Sequence, residues 1–506
     1  MEKYAQKMKA KLFDIKAGKY ISIIHEIDAK ELGIFKLDRI EIFNPRTRKR
    51  IVTVADLTDS EVKENEIGLF DDVRRELGAR AKEKLIIKAV CRPKSVEFIK
   101  KKVDGNALSE EEIIAVVNDI NDNKLSEIEA SAFLSAVFIH GFTLNETVAM
   151  TKAIIKNGSR LSLGKKHVVD KHCIGGINGR STMIIVPIVA SCGCFIPKTS
   201  SRSITSSAGT ADTMEVLAPV SLSIKKIKKI TSRLGGVIAW GGAIDLAPVD
   251  DKIIQLEHPL MLNPPEQIIA SVMAKKASVG AKYVVVDIPI GREVKIKTVE
   301  EGEEMARKFI EVGKKFGIKV EVILTNGENP SGRAFGPALE AKYVMEILEG
   351  KFFDELAEKS CRLAGSLLEL AGKEKKGKGM NKAKKTLLSG KALNKMREII
   401  KAQGGKIFSS EQVKLSPLKE KVYSKSEGEI KNINVKTLND IAKIAGAPAH
   451  KKAGVMLFVD EGQMIRKGDI LFEVYAENKR KLELAVKAAK ETKAIEMDDT
   501  IIEKIC

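Results

Sequence analysis

Residues 168–217 read VVDKHCIGGINGRSTMIIVPIVASCGCFIPKTSSRSITSSAGTADTMEVL, and their pattern decides the fold. Two loops rich in small and hydroxyl residues, 171–182 and 200–210, flank the apolar run 183–190. Glycine removes the Cβ and serine or threonine adds a donor, so backbone N–H groups in such loops can approach an anion closely. Two loops of this kind facing each other can hold two phosphates. The apolar run fits the start of a buried helix or a strand, because an unbroken apolar stretch carries no period to separate them.

Outward from this stretch, between residues 165 and 412, strand-like runs at 183–189, 237–240, 283–288 and 320–324 alternate with helical runs at 265–277, 301–316 and 338–348. That alternation predicts an α/β domain with helices covering a sheet. Lysine-rich residues 373–385, punctuated by Gly377 and Gly379, read as a surface loop or hinge. Upstream, three capping boxes pair Ser109 with Glu112, Ser126 with Glu129 and Thr143 with Glu146, each ahead of a helical run. Ile113, Ile114, Val116, Val117 and Ile120, then Phe133, Leu134, Val137 and Phe138, keep helical spacing. His140 is expected to be structural and of intermediate burial.

Residues 1–85 alternate short apolar strings, such as 20–24 and 40–43, with turn residues, which predicts a small β-rich domain. In the tail, Asp460-Glu461-Gly462 and Lys467-Gly468-Asp469 break short apolar strands as in the barrel-sandwich fold of biotinyl carrier domains, without a lysine in a biotinylation motif. The expected plan is a multidomain α/β chain: β-rich 1–85, helical 86–164, α/β and phosphate-binding 165–412, and a structural α/β barrel-sandwich domain 413–506.

The 506 residues suggest three or four domains, and 44% hydrophobic with 31% charged residues is a globular composition. The opening MEKYAQKMKAKLFDIKAGKY scatters charge and lacks an apolar core, so neither a signal peptide nor a membrane span is expected, and the expected location is cytoplasmic. Cysteines at 91, 173, 192, 194, 361 and 506 show no disulfide framework and no zinc spacing. The net charge of +19 favours anionic partners, but the lysines interleave with glutamates on helical patterns, which is the mark of a solvated face rather than of nucleic-acid binding.

Lys171, Ser181, Thr182, Ser200, Ser201 and Thr210 supply one cation and five hydroxyls, a set suited to a phosphate dianion. DKHCIGGINGRST followed by SSRSITSSAGTADTMEVL resembles the paired phosphate loops of the nucleoside phosphorylase family that includes thymidine phosphorylase, and is most similar to its archaeal AMP phosphorylase branch. The likeness recurs in APVDD (247–251), IASVMAKK (269–276), VVVDIPIG (284–291), NGENPSGRAFGPALE (326–340) and SGKALNKMREIIKAQGG (389–405), all in one order.

The resemblance implies a helical domain and a large α/β domain of the nucleoside phosphorylase type, and phosphorolysis of AMP or another nucleoside monophosphate, without metal or cofactor. It also implies a homodimer or larger homo-oligomer. By the same resemblance inorganic phosphate meets Lys171, Thr182, Ser200 and Thr210. AMP meets Gly175, Ser201, Arg202, Ser203, Ile204, Thr205, Ser206, Thr210, Ser271 and Lys295, with the Arg202 fork available to a phosphate. Ser271 and Lys275, one helical turn apart, match base-facing positions. The Thr-Arg-Asp pattern that meets a pyrimidine in the thymidine enzymes is replaced by Leu256-Glu257-His258.

Two departures stand out. The first loop is one residue shorter than the archaeal form, which leaves the roles of residues 178–181 open. Where that branch carries an aspartate as proton donor to the leaving purine, this chain has Asn263. An amide donates a hydrogen bond but has no titrating proton, so Asn263 orients the base, or Asp250 or Asp251 supplies the proton, or activity is weak. A nucleophilic role for His172 or Cys173 is not needed, because phosphate attacks directly. Alternatives are a pyrimidine nucleoside phosphorylase and a phosphoribosyltransferase, the latter requiring magnesium and an acidic metal site that the sequence does not show. Closure about hinges at 157–164 and 241–251 is expected, because the base must be shielded from water.

Overall fold

The computed structural model describes residues 5–175, 180–203 and 206–498. The chain divides into two compact units, Met1–Asn157 with Pro248–Ala270, and Gly158–Ala247 with Ser271–Cys506. It passes between them at 157/158 and 247/248, inside both stretches expected as hinges, and a third time at 270/271, within a helix, where no sequence signal marks it.

The first unit opens with β1 (Ala5–Leu12), β2 (Ile21–His25), α1 (Glu26–Leu32), β3 (Arg39–Asn44), β4 (Lys49–Thr58), β5 (Glu66–Leu69), α2 (Asp71–Leu77) and β6 (Lys84–Ala89). The strands close into a barrel in the order β1-β5-β2-β4-β3-β6. Met8, Ile24, Ile40, Ile42, Ile67, Leu69, Leu85 and Ile87 fill its interior, as the two-residue period of strands requires. Four helices follow: α3 (Ser95–Val103), α4 (Glu110–Asn121), α5 (Glu127–His140) and α6 (Leu144–Lys156). All three expected capping boxes form. Two expectations need correction: Phe138 is 51% exposed, and His140 is exposed rather than half-buried. Helix α5 is apolar around most of its circumference, so spacing could not choose its buried face. His140 contributes a ring-nitrogen contact of 3.1 Å to the Val103 carbonyl.

In the second unit come β7 (Val169–Cys173), α7 (Ser181–Ser191), β8 (Ile196–Ser200), α8 (Thr210–Leu217), α9 (Ile224–Leu234) and β9 (Gly236–Trp240). The chain returns to the first unit for α10 (Pro248–Glu257) and the start of α11 (Pro265–Ser278). It then builds β10 (Tyr283–Ile290), α12 (Val299–Lys315), β11 (Lys319–Asn326), β12 (Ala334–Phe335), α13 (Pro337–Leu348), α14 (Glu355–Leu370), α15 (Gly379–Leu388) and α16 (Lys391–Gln403). Strands β11, β10 and β7 run parallel in that order, and β8 pairs parallel with β9. A bridge from Val168 to Phe195 joins the two sets.

The strand expected at 183–189 is instead helix α7. Every residue from Met183 to Ala190 is buried, so the run has no polar side to reveal a 3.6-residue period. The expected lysine-rich loop is also corrected: turns give way at Gly379 to α15, which buries Ala383 and Leu387 four residues apart.

The tail adds β13 (Lys419–Tyr423), β14 (Gly428–Ile433), α17 (Val435–Ile444), β15 (Gly454–Leu457), β16 (Met464–Ile465), β17 (Ile470–Tyr475), α18 (Lys479–Glu491) and β18 (Ile495–Met497). Its larger sheet has the order β12-β15-β17-β13, so it borrows β12 from the preceding region. The junction is tight: Gly336 has φ +115°, and a Cβ there would lie 2.4 Å from the Ala453 carbonyl oxygen. Among the described residues no helix is long and apolar enough to cross a membrane.

Candidate active site

Ligands of open parallel sheets bind beyond the carboxyl ends of the strands. Cys173 ends β7, Ser200 ends β8 and Trp240 ends β9, and Ser200 and Trp240 are register partners. The two loops leave from these ends, and each leads to a helix N-terminus: Ser181 and Thr182 open α7, and Thr210 opens α8. The first N–H groups of a helix lack partners within it and attract anions.

Beneath the first loop lies a buried ionic cluster. Lys171, 2% exposed, places Nζ 3.1 Å from Ser181 Oγ and 3.3 Å from Asp287 Oδ2. Lys359 reaches the same carboxylate at 3.4 Å, and the Thr325 hydroxyl donates to its other oxygen at 2.7 Å. Asp170 pairs with Lys276 at 2.8 Å and Lys198 at 3.3 Å, and accepts the Lys171 N–H at 2.7 Å. Lys198 also donates to the Lys171 carbonyl at 2.7 Å. In these ion pairs four lysines share two carboxylates. Excess cationic charge out of water is costly unless an anion joins it.

Burial first, and then this crowd of charges, set the titration of the cluster. Burial pushes Lys198 down to about 7, with Asp170 opposing and its lysine neighbours assisting. Burial alone would raise Asp170, but Lys198 and Lys276 hold it below its ordinary value. His172 is held well below the ordinary imidazole value by burial and four lysines, and is therefore neutral. Burial and Asp287 raise the Cys173 thiol, which keeps it protonated. Neither is primed as a nucleophile.

The second loop is built differently. The Arg202 fork, expected to be open to a phosphate, is engaged by carboxylates: it donates to Glu215 at 2.7 and 2.9 Å and to Asp212 at 3.0 Å, and lies 4.8 Å over the Trp240 ring. Hydrogen bonding from Arg202 draws Glu215 down to about 2. Asp212 accepts the N–H groups of Ser203 at 2.7 Å and Gly209 at 2.9 Å. Position 209 must be glycine, because a Cβ would come within 2.6 Å of the Ser203 nitrogen. The Ser206 hydroxyl donates to the Ala208 carbonyl at 2.8 Å, and the Ser203 hydroxyl to the Ser206 carbonyl.

Arg180, which sequence reasoning missed, ties the loops together. Its guanidinium donates to the Ala208 carbonyl and pairs at 2.5 Å with Glu340, which also accepts the Thr213 hydroxyl at 3.2 Å. Burial pushes Glu340 up to about 7 against the pull of Arg180. Asp170, Asp287, Lys198, Lys276 and Lys359 were missed as well. A charged residue inside an apolar strand, as in VVDKH and VVVDIP, was the available signal.

Other expected residues are scattered. Gly175 has φ +96°, which only glycine adopts freely. Ser201 is exposed, and Ile204 and Thr205 lie outside the described residues. Ser271 and Lys275 are half-buried on α11, one turn apart, and Lys295 is exposed after β10. Asn263 belongs to the other unit, where it is exposed and its amide donates to the Met261 carbonyl at 2.9 Å. Asp250 is buried and Asp251 exposed on α10 in that same unit. No group of three or more His, Cys, Asp or Glu among the described residues could hold a metal ion.

Three domain families match: the helical bundle domain of a glycosyl transferase family over residues 96–158, the a/b domain of that family over 165–241, and the pyrimidine nucleoside phosphorylase C-terminal domain over 429–496. Anthranilate phosphoribosyltransferase from Thermus thermophilus shares the fold, with TM-score 0.53 and 19% identity over 60% of this chain and 98% of its own. Fold and domain families thus define a glycosyl transferase of the nucleoside phosphorylase type. The chain is 43% identical to the AMP phosphorylase of Methanococcoides burtonii and 43% identical to AMP phosphorylase 1 of Archaeoglobus fulgidus, each over 98% of both chains. It is 41% identical to the AMP phosphorylase of Methanococcus maripaludis over 98% of this chain and 99% of that one. The chain belongs to the AMP phosphorylase family.

Proposed function

We propose that the enzyme, a pentosyltransferase, converts AMP and inorganic phosphate into adenine and ribose 1,5-bisphosphate. Besides the family, the observation that carries this reading is the surplus of lysine over carboxylate in the cluster beneath Lys171. A phosphate dianion seated on Lys171, Thr182, Ser200 and Thr210 neutralises that surplus and is held beneath the anomeric carbon. A phosphate oxygen attacks that carbon, a C–O bond forms, the C–N bond breaks, and its electron pair leaves with the base. The sugar passes through an oxocarbenium-like transition state whose positive charge the phosphate offsets.

The departing base needs a hydrogen bond or a proton. Ser271 and Lys275 supply donors, and Asn263 orients the base without titrating. Residues 201–206 with Thr210, Gly175 and Lys295 hold the nucleotide. Because Arg202 is committed to Glu215 and Asp212, hydroxyl and N–H donors rather than a guanidinium fork bear the nucleotide phosphate. Closure of the helical domain and the α/β domain on the ligand about 157–164 and 241–251, assembly as a homodimer or larger oligomer, and a cytoplasmic location belong to the same reading. Solution scattering and light scattering test the first two.

Purified protein incubated with AMP, CMP, UMP, thymidine or uridine, with and without phosphate, is assayed for free base. Phosphate-dependent release of adenine from AMP is expected. Cleavage of thymidine or uridine without cleavage of AMP would replace this reading by a pyrimidine nucleoside phosphorylase, the specificity named by the C-terminal domain family.

A further inference from the structure

Ser207 is fully buried, and both its N–H and its hydroxyl donate to one oxygen, Oδ1 of Asn439, at 2.9 and 2.8 Å. Asn439 lies 232 residues further on, in helix α17 of the tail. Its own amide nitrogen donates to the Val435 carbonyl one turn back at 2.9 Å, which fixes the amide with Oδ1 toward the loop. Val435, Leu438, Ile441 and Ala442 form the rest of the buried face of α17, so Asn439 is a polar residue set among apolar ones. A buried amide is costly unless hydrogen-bonded, and here both ends of the amide are engaged at ordinary hydrogen-bond distances. A second link runs from the tail: Lys451 pairs with Glu215 at 2.9 Å, and Glu215 holds Arg202 against Trp240.

We propose that Asn439 is a positioning residue, through which the C-terminal domain sets the conformation of the nucleotide-binding loop around Ser206–Ser207–Ala208. The domain read from sequence as a structural cap therefore controls affinity for the nucleotide. This rests on the proposed function, because it takes Ser203 and Ser206 as part of the nucleotide site. Ser207 anchors the loop between Ser206 and Ala208, and Ala208 is where Arg180 of the first loop attaches. Releasing the anchor frees the segment at Ser206–Ala208, whereas the ion pairs of Lys171 and Lys359 with Asp287 do not involve it.

The test measures steady-state kinetics of the full-length enzyme carrying Asn439→Ala, beside Val486→Ala, a truncation in the same tail core that does not touch the loop. The expected result for Asn439→Ala is a KM for AMP raised about tenfold, with a smaller rise in KM for phosphate, which Thr210 of the same loop also serves, and kcat within about threefold. Val486→Ala leaves all three within about twofold. Trp240 is the single tryptophan and stacks on Arg202, so emission of the Asn439 variant should also shift, and AMP should partly restore it. Should Asn439→Ala fail to fold, Ser207→Ala, which removes only the hydroxyl bond, should raise KM for AMP about threefold. An unchanged KM for AMP in the Asn439 variant, or in Ser207→Ala where that is the variant measured, or an equal rise in Val486→Ala, overturns the inference. Wild-type enzyme inert toward AMP would instead sink the proposed function.

Discussion

The two anion loops share a design, strand end to helix N-terminus, but are fixed by opposite electrostatics. The first rests on buried lysines that outnumber their carboxylates, so its charge is incomplete without an anion. The second carries one arginine, already paired with Asp212 and Glu215, and is shaped by neutral bonds to Asn439 and within itself. One loop is thus set by charge and the other by shape. Under the proposed function the reacting phosphate draws on both designs, resting on Lys171 and Thr182 of the first loop and on Ser200 and Thr210 of the second, and of these four only Lys171 brings charge.

Substitution of the two cations probes this contrast most strongly. Lys171→Met should lower kcat/KM for phosphate by about 10³, or about 4 kcal/mol, because on the proposed function it removes a desolvated charge from the reacting anion. Arg202→Met should cost less than about tenfold, since its guanidinium is already committed. Equal losses measured by initial rates would break the distinction.

Next in size is the tie between the loops. The folded-state value of Glu340 is raised from 4.5 to about 7. Its proton is thus held more tightly in the folded than in the unfolded chain. Its contribution to stability is complete below 4.5 and is lost as pH rises to about 7, on the order of 3 kcal/mol. Urea unfolding at several pH values should show this decline in the wild type, and Glu340→Gln should remove it. Parallel curves for the two proteins would place the titration elsewhere.

The smallest effect concerns the leaving group. Asn263→Asp should raise kcat for AMP at least about tenfold, about 1.4 kcal/mol, and add an acidic limb to the pH–rate profile. An unchanged profile, with turnover abolished by Asp250→Asn or Asp251→Asn, would put the acid on α10.

What the sequence made legible follows the same division. The paired loops, the three capping boxes and strands β9, β10 and β11 are local patterns, and they can be read. Helix α7 was ambiguous because an entirely buried segment shows no period. The pairing of Arg202 was not legible because a fork suited to phosphate is equally suited to Glu215, thirteen residues on, and spacing does not say which partner it takes. Lys198, Lys276, Lys359 and Asn439 were invisible for another reason. Each meets its partner across 27 to 232 residues, through the strand order of the sheet or the docking of the tail.

The most direct measurement is phosphorus NMR of the full-length enzyme with AMP and inorganic phosphate. The expected course is loss of the inorganic phosphate signal in step with adenine release, and growth of two equal signals from a pentose carrying phosphate on both ends. Adenine released while inorganic phosphate stays constant, or no release at all, would contradict phosphate as the glycosyl acceptor.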